Sequence, residues 1–488
     1  MNPDYVLRHD LKRTFIISKN LIKHNSEPNW ISVIHPVHAM ILSFFTRKLS
    51  FKTTLKLISQ STGEKVSIVN NLIQPFICNK KQFAITFHGL NFKFPKNIII
   101  PYNENIMEVQ NCRPGDFRYN ALDFDSKRMF SGPLSVSLML NNLCSTNCVY
   151  CYADKREKFQ CEITLERFKN IVKEAKQLNI VDFGLSGGEI FLTPNWSKFL
   201  KILLENDYYP DVISTKLPLT PSQIHLLKNL NINKVLQISL DSVNVSILTK
   251  MLNVDKSYLH KIIQTIRIID YTGIKFKIAT TLTRYNDSYS NVLELLNFIK
   301  QFPNIIDWDI GPAFDSLYKE KQTNVKFKSS RKKLQKVQQF VLNQSERYHF
   351  NINFDSSYLG RPFYNSKEGG TSFPGSECSA NKTHMIILPD GNVTCCEQFY
   401  WMPQFLLGNI NDSTIADVWL SDKALNLFDP KYISKNSNCA MCSLLNDCYS
   451  TMNKCWVDII KAYGIENWDY PDPRCFFAPK MFNDLAFN

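Results

Sequence analysis

No segment of this 488-residue chain approaches eighteen uninterrupted apolar residues, so no transmembrane helix is expected. The first twenty residues are polar and charged, which argues against a secretory signal peptide. A dense basic stripe with interleaved aromatics is also missing, although the formal charge is +13. Nucleic acid is therefore not favoured as the main substrate. The basic surplus either attracts acidic peptides and polyanions or simply keeps the surface soluble. With no leader to carry them out of a reducing compartment, the fourteen cysteines are expected to stay as free thiols available to metals. The expectation is a cytoplasmic metalloprotein of about three domains, with 44% hydrophobic residues to build their cores.

Three of the cysteines stand together. Cys144, Cys148 and Cys151, in the run LCSTNCVYCYADK, offer three thiolates from one short loop. A four-iron four-sulfur cube takes four ligands, so three would leave one iron open for a small cofactor. A zinc knuckle is the alternative, and it needs a fourth local ligand, for which Cys161 is the nearby candidate. Downstream, residues 180–185 read as an apolar strand running into Ser186, Gly187, Gly188 and Glu189, and paired glycines there permit close backbone approach to a ligand. The triplet, with Tyr150 before its last cysteine, and the GGE segment follow in the order that resembles radical S-adenosylmethionine (AdoMet) enzymes. The resemblance implies that Cys144, Cys148 and Cys151 hold a [4Fe-4S] cluster whose open iron binds AdoMet. It also implies that Gly187, Gly188 and Glu189 line the AdoMet amino group.

Residues 1–105 read as a small α+β module. Strand-like runs at 5–7 and 14–17 suggest a hairpin, 38–45 an apolar helix, and Val66, Val69, Ile73 and Phe76 one helical face. A second hairpin is expected about His88 and Gly89. The mix is similar to a winged-helix module, and its place is where peptide-modifying radical AdoMet enzymes carry a leader-recognition element. Such elements take an extended peptide at a sheet edge. A DNA-type winged helix or a structural cap fits the same pattern. Residues 106–132 read as a linker around Arg113-Pro114-Gly115-Asp116.

From residue 133 to 350 the chain alternates strand and helix. Strands are expected at 135–140, 180–185, 211–214, 234–240, 275–282 and 305–310, and helices at 165–178 and 196–205. Another helix opens on the capping box Thr220-Pro221-Ser222-Gln223. Six βα units imply a parallel sheet with right-handed crossovers, and the family resemblance implies a partial (β/α)6 barrel. Chemistry on such a barrel sits on the loops after the strands, which puts both motifs on one rim. After the fourth strand, Ser239 and Asp241 look like the family residues that reach the AdoMet carboxylate and ribose, or else form the polar exit of a buried strand. Ser214-Thr215-Lys216-Leu217 departs from the Thr-Asn-Gly that many relatives show, and no role is assigned there.

Residues 351–488 hold the second cysteine group. Cys378, Cys396, Cys439, Cys442, Cys448, Cys455 and Cys475 resemble the SPASM extension, whose seven cysteines hold auxiliary [4Fe-4S] clusters; a pair of zinc ribbons is the alternative. The resemblance implies one cluster on Cys439, Cys442, Cys448 and Cys475, and a nearer one on Cys378, Cys396 and Cys455. The nearer set lacks a fourth thiolate among Gly375, Ser376 and Glu377, so its iron is either open or taken by Cys395. The six-residue gap between Cys448 and Cys455 departs from the pattern. Glu397, following Cys396, matches the place where some relatives carry an acidic proton acceptor, a general-base role open to a carboxylate, or it is an ordinary surface residue.

Together these readings point to a radical AdoMet/SPASM maturase of a ribosomally made peptide. It would use a precursor with a leader and an electron donor such as flavodoxin or ferredoxin. A protein maturase of the sulfatase-maturing type and small-molecule oxidation share the motifs. A zinc-containing DNA-binding regulator is the alternative from another class.

Overall fold

The computed structural model describes residues 1–19, 30–101, 112–155, 157–232, 236–319, 326–356, 378–451 and 454–482. Gly375, Ser376 and Glu377, where a further ligand was sought, lie outside the described residues.

The N-terminal module starts with β1 (Tyr5–His9) and β2 (Thr14–Ser18), antiparallel as expected. A third strand, β3 (Ile31–Ile34), extends the sheet on β2. Helices α1 (Pro36–Ser43), α2 (Phe51–Thr62) and α3 (Val66–Ile73) follow. The hairpin of β4 (Phe83–Phe87) and β5 (Leu90–Phe94) then turns through His88 and Gly89, both at positive φ. Three helices and a hairpin agree in order with a winged helix. Val69, Ile73 and Phe76 are buried as the helical periodicity requires, whereas Val66, the first residue of α3, is 43% exposed. Helix α2 was not foreseen, because its buried residues are only Thr54, Leu55 and Ile58, although Ser50 caps it by accepting from Thr53 N.

The barrel strands follow the expected rhythm. They are β6 (Ser135–Met139), β7 (Asp182–Ser186), β8 (Ile213–Thr215), β9 (Leu236–Ser239), β10 (Phe276–Leu282) and β11 (Ile305–Pro312). Between them run α4 (Leu165–Gln177), α5 (Trp196–Glu205), α6 (Pro221–Asn229), α7 (Val245–Leu252), α8 (Tyr258–Tyr271) and α9 (Tyr289–Ile299). The Thr220 capping box forms, with Thr220 and Gln223 reciprocally bonded and Pro221 in the first turn. Their apolar faces, among them Val136, Phe168, Phe183, Leu236, Ile278 and Trp308, form one core.

Two features correct the six-unit expectation. A seventh parallel strand, β12 (Asn351–Phe354), pairs with β11, past the expected barrel end at residue 350. It was missed because two of its four residues are asparagines; Asn351 and Asn353 bond across to Asp307 and Asp309 at 2.9 and 2.8 Å. The wall also divides, with β8 to β12 in one sheet and β6 and β7 in the other. The C-terminal region joins the second sheet directly. Its β13 (His384–Ile387) lies parallel to β6, and β14 (Asn392–Thr394) and β15 (Leu406–Asn409) continue outward.

The segment expected as a linker is a clasp over residues 126–134. Arg8, 1% exposed, donates to the carbonyls of Pro133 and Gly132 at 2.7 and 2.6 Å. Asp10 Oδ1 accepts from Phe130 N and Ser131 N, both at 2.7 Å, while its other oxygen pairs with Arg13. Arg128 reaches Asn381 O at 3.0 Å and lies 4.4 Å over the Trp419 ring. Buried arginines are retained where each charge finds several acceptors, and here those acceptors belong to all three regions of the chain.

Candidate active site

The loop after β6 carries the cysteine triplet, and two asparagines set its course. Asn141 Nδ2 donates to Glu189 O at 2.9 Å, and its Oδ1 accepts from Leu143 N at 2.9 Å. Asn142 donates to Glu157 O at 2.7 Å and accepts from Phe159 N at 2.8 Å. Farther on, Lys319 Nζ holds the carbonyls of Val149 and Cys148 at 2.7 and 3.2 Å. Thr146 Oγ1 lies 3.5 Å from Cys144 Sγ and 3.2 Å from Cys148 Sγ, so these two thiols converge on one hydroxyl.

Gly187 and Gly188 do approach something closely, but it is the cluster loop. A Cβ at Gly188 would lie 2.1 Å from Leu143 O, and Gly188 N donates to Asn141 O at 2.8 Å. Glu189 is 1% exposed. Its Oε2 accepts from Thr215 Oγ1, Lys216 N and Leu217 N at 2.7, 3.1 and 3.2 Å, and its Oε1 from Phe191 N at 3.4 Å. Desolvation raises its carboxyl pKa, and these donors partly offset the rise. The carboxylate therefore stitches the exit of β7 to that of β8, across the place where the wall divides. Glu189 also lines the cavity beside Gly187 and Gly188.

These elements enclose a cavity of about 580 Å³, lined by Cys144, Cys148, Tyr150, Cys151, Gly187, Gly188, Glu189 and Ser239, and also by Lys216 and Glu397. Glu397 comes from the C-terminal region, far from the triplet in sequence. It is an exposed side chain opening on the cavity, but the surrounding walls desolvate it and raise its carboxyl, and a hydrogen bond from Tyr152 opposes the rise. Glu397 is thus exposed, but on the wall of this cavity. Tyr318, on the loop after β11, donates to Gln398 O at 2.8 Å and holds this turn against the barrel.

Asp241 stands as the polar exit of a buried strand. It is fully buried and does not line the cavity. Its Oδ2 accepts from Tyr150 OH and from Lys216 Nζ at 3.3 Å, and its Oδ1 from Thr281 N at 2.8 Å. It supports the cluster loop and Lys216 from behind. Ser239 is on the cavity wall, 3.4 Å from Ser214 Oγ. Lys216 was passed over because its tetrad departs from the familiar pattern; only its spacing after a strand end could have marked it.

In the tail, the cysteines fall into two electrostatically coupled groups. Cys448 and Cys475 each feel Cys439 and Cys442. Cys378 hydrogen-bonds Cys455 and feels Cys396 and Cys395. Cys395 is 1% exposed within the apolar core, and burial holds its thiol well above the usual range. Cys161 points to Ile163 O at 3.7 Å and is not among the cavity-lining residues. Among the described residues no three of these side chains stand in metal-ligating geometry; what suits a cluster with an open iron is the chemistry of the donor set, three thiols on one loop facing a cavity.

Comparison with known proteins matches two segments of the chain. Residues 138–299 match the radical SAM superfamily model, and residues 378–443 match SPASM, an iron–sulfur cluster-binding domain. Over 298 residues the chain is 22% identical to the antilisterial bacteriocin subtilosin biosynthesis protein AlbA of Bacillus subtilis, covering 60% of each. It is 25% identical over 163 residues to the sporulation killing factor maturation protein SkfB of the same organism, covering 33% of this chain and 39% of SkfB. The matched segments thus span less than two thirds of either relative. Among solved structures, Streptococcus suis SuiB bound to the precursor peptide SuiA superposes with a TM-score of 0.65 at 17% identity, over 98% of this chain and 99% of SuiB. That likeness establishes the fold. The cofactors of the matched domains are a [4Fe-4S] cluster with AdoMet and auxiliary iron–sulfur clusters. No helix among the described residues is long and apolar enough to cross a membrane.

Proposed function

We propose that this protein, a radical SAM chain with a SPASM domain, cleaves AdoMet reductively and modifies a ribosomally made precursor peptide. One observation carries the reading. The cysteine triplet, the glycine pair beside it and Glu397 of the SPASM region line a single cavity. When bound, the cluster and AdoMet supply a 5'-deoxyadenosyl radical that takes a hydrogen atom from a peptide carbon. Cys144, Cys148 and Cys151 would hold that cluster. Cys439, Cys442, Cys448 and Cys475 would hold one auxiliary cluster, and Cys378, Cys396 and Cys455 the other.

Glu397, on the cavity wall, would accept a proton leaving the substrate. AlbA, by name a bacteriocin biosynthesis protein, and SkfB, by name a killing-factor maturation protein, support a peptide substrate. The N-terminal module would hold the leader and raise the effective concentration of the core peptide at the cavity mouth. An external one-electron donor such as flavodoxin or ferredoxin would supply the reducing equivalent.

The test is anaerobic reconstitution followed by iron, sulfide and 5'-deoxyadenosine measurement, with Cys144, Cys148 and Cys151 changed to Ala. Cleavage that depends on the triplet, with iron remaining in the triple variant, is expected. Colourless, zinc-loaded protein without cleavage would overturn the reading. A short reading frame beside the gene, added as peptide, identifies the modification by mass.

A further inference from the structure

We infer that Lys454 is a positioning residue for the auxiliary cluster of Cys439, Cys442, Cys448 and Cys475: its ammonium donates to the Cys439 sulfur and raises that cluster's reduction potential. The inference rests on the reading above that these four cysteines hold a cluster.

Lys454 closes the six-residue gap between Cys448 and Cys455, the spacing that departs from the SPASM pattern. Tyr449, on the helix Leu445–Thr451, opens the same gap. Lys454 Nζ donates to Tyr449 OH at 2.7 Å and to Cys439 Sγ at 3.7 Å, and it lies 3.9 Å from the centroid of the Tyr449 ring. Tyr449 and Cys439 are each only 9% exposed, so the ammonium is turned inward. Cys448 is also close enough to act on its charge. The sulfur it meets is that of Cys439, although Cys455 of the other group is its neighbour in the chain.

Among the described residues none of the partners of this ammonium is a carboxylate. A cation drawn away from water without an anion is costly, and neither a phenol nor a neutral thiol meets its charge. Four thiolates around iron and sulfide do meet it, because such a cluster is negative in both oxidation states. Reduction adds one further negative charge. A cation against the cluster therefore stabilises the reduced form more than the oxidised form. Net charge and hydrogen bonds to the sulfurs are the two levers that set such potentials, and Lys454 supplies both at one atom.

The experiment uses the reconstituted full-length chain with Cys144, Cys148 and Cys151 changed to Ala, so that only tail clusters contribute. Midpoint potentials are read by anaerobic redox titration followed by electron paramagnetic resonance, with iron and sulfide measured alongside. K454M should make reduction of one tail cluster about 10- to 100-fold less favourable, a fall of about 60 to 120 mV, and leave the other within about 3-fold. K454R, which keeps a charged donor, should stay within about 3-fold of the parent at both clusters. Lys435, exposed and four residues before Cys439, is the control: solvent screens its charge, and K435M should move neither cluster by more than about 3-fold. Should K454M load less iron, K454Q, which keeps a neutral donor, repeats the titration and should show a smaller fall. Unmoved potentials in K454M, equal shifts of both clusters, or the same fall in K435M overturn the inference. Iron loss in both K454M and K454Q with K454R loaded overturns it in favour of a purely structural lysine. A parent chain without tail iron removes instead the reading that the tail holds clusters.

Discussion

Gly188→Ala isolates the packing of the two motifs from their chemistry. The added Cβ would lie 2.1 Å from Leu143 O, 2.7 Å from Asn142 C and 2.8 Å from Leu143 C, all backbone atoms. Real contacts essentially never fall below 3.0 Å, so the nearest pair must separate by roughly 1 Å, and no flexible side-chain tip is there to absorb the shift. Separation stretches two bonds, Gly188 N to Asn141 O at 2.8 Å and Leu143 N to Asn141 Oδ1 at 2.9 Å. Overpacking of a methyl costs about 1–3 kcal/mol, and each weakened bond about 1 kcal/mol, so roughly 3–5 kcal/mol falls on the loop that presents Cys144. We expect G188A to lose about one cube of iron per chain relative to wild type, keep its tail clusters, and bind AdoMet weakly. Gly184→Ala is the control. Its Cβ would meet only Ser137 Oγ, at 3.5 Å, an ordinary contact, and wild-type iron loading should follow. G188A with wild-type iron content and AdoMet affinity would refute the reasoning.

Three further outcomes follow from the site. Asp241→Ala leaves Lys216 without its counter-ion and should destabilise the chain by about 3–5 kcal/mol, with Asp241→Asn milder; chemical denaturation of both variants measures the difference. Glu397→Gln should retain iron and peptide-dependent AdoMet cleavage within about 3-fold while modified peptide falls at least about 100-fold, read by mass spectrometry; an unchanged product yield would remove Glu397 from the chemistry. Burial, reinforced by Asp211, raises the Asp182 carboxyl to about 7, so the folded chain favours the protonated form. Wild type should therefore lose stability as pH rises from about 4 to about 7. Asp182→Asn should then be more stable than wild type by roughly 1–3 kcal/mol at pH 8 but not at pH 4, a comparison that denaturation at the two pH values makes directly.

Much of the barrel could be read along the chain. Cysteine spacing on one loop, a glycine pair after a strand, a capping box at Thr220 and the alternation of apolar strands with amphipathic helices are all local patterns. They rest on backbone geometry and side-chain periodicity over a few residues, so they survive without knowledge of the fold. Strand β12 escaped because its cross-strand partners are Asp307 and Asp309, and polar pairing leaves no hydrophobic alternation to find. The clasp at 126–134 escaped for a similar reason: a Pro- and Gly-containing polar run looks like a linker until Arg8, Asp10 and Arg13 reach its carbonyls and amides.

By itself the sequence determined which groups can bind iron, in what order they come, and that strands carry them to one rim. Only the tertiary structure decided what each polar residue around them does. Parallel pairing of β13 with β6, whose Ser135 and His384 are 249 positions apart and joined at 2.6 Å, fastens the SPASM region to the barrel whose cavity Glu397 lines. Donors from the β8 exit, Thr215, Lys216 and Leu217, made Glu189 the seam between β7 and β8. Burial turned Asp241 into the support of Lys216, and so made Lys216 the cation of the cavity. A carboxylate's role depends on which donors surround it and on whether water reaches it, and both are properties of residues distant in the chain.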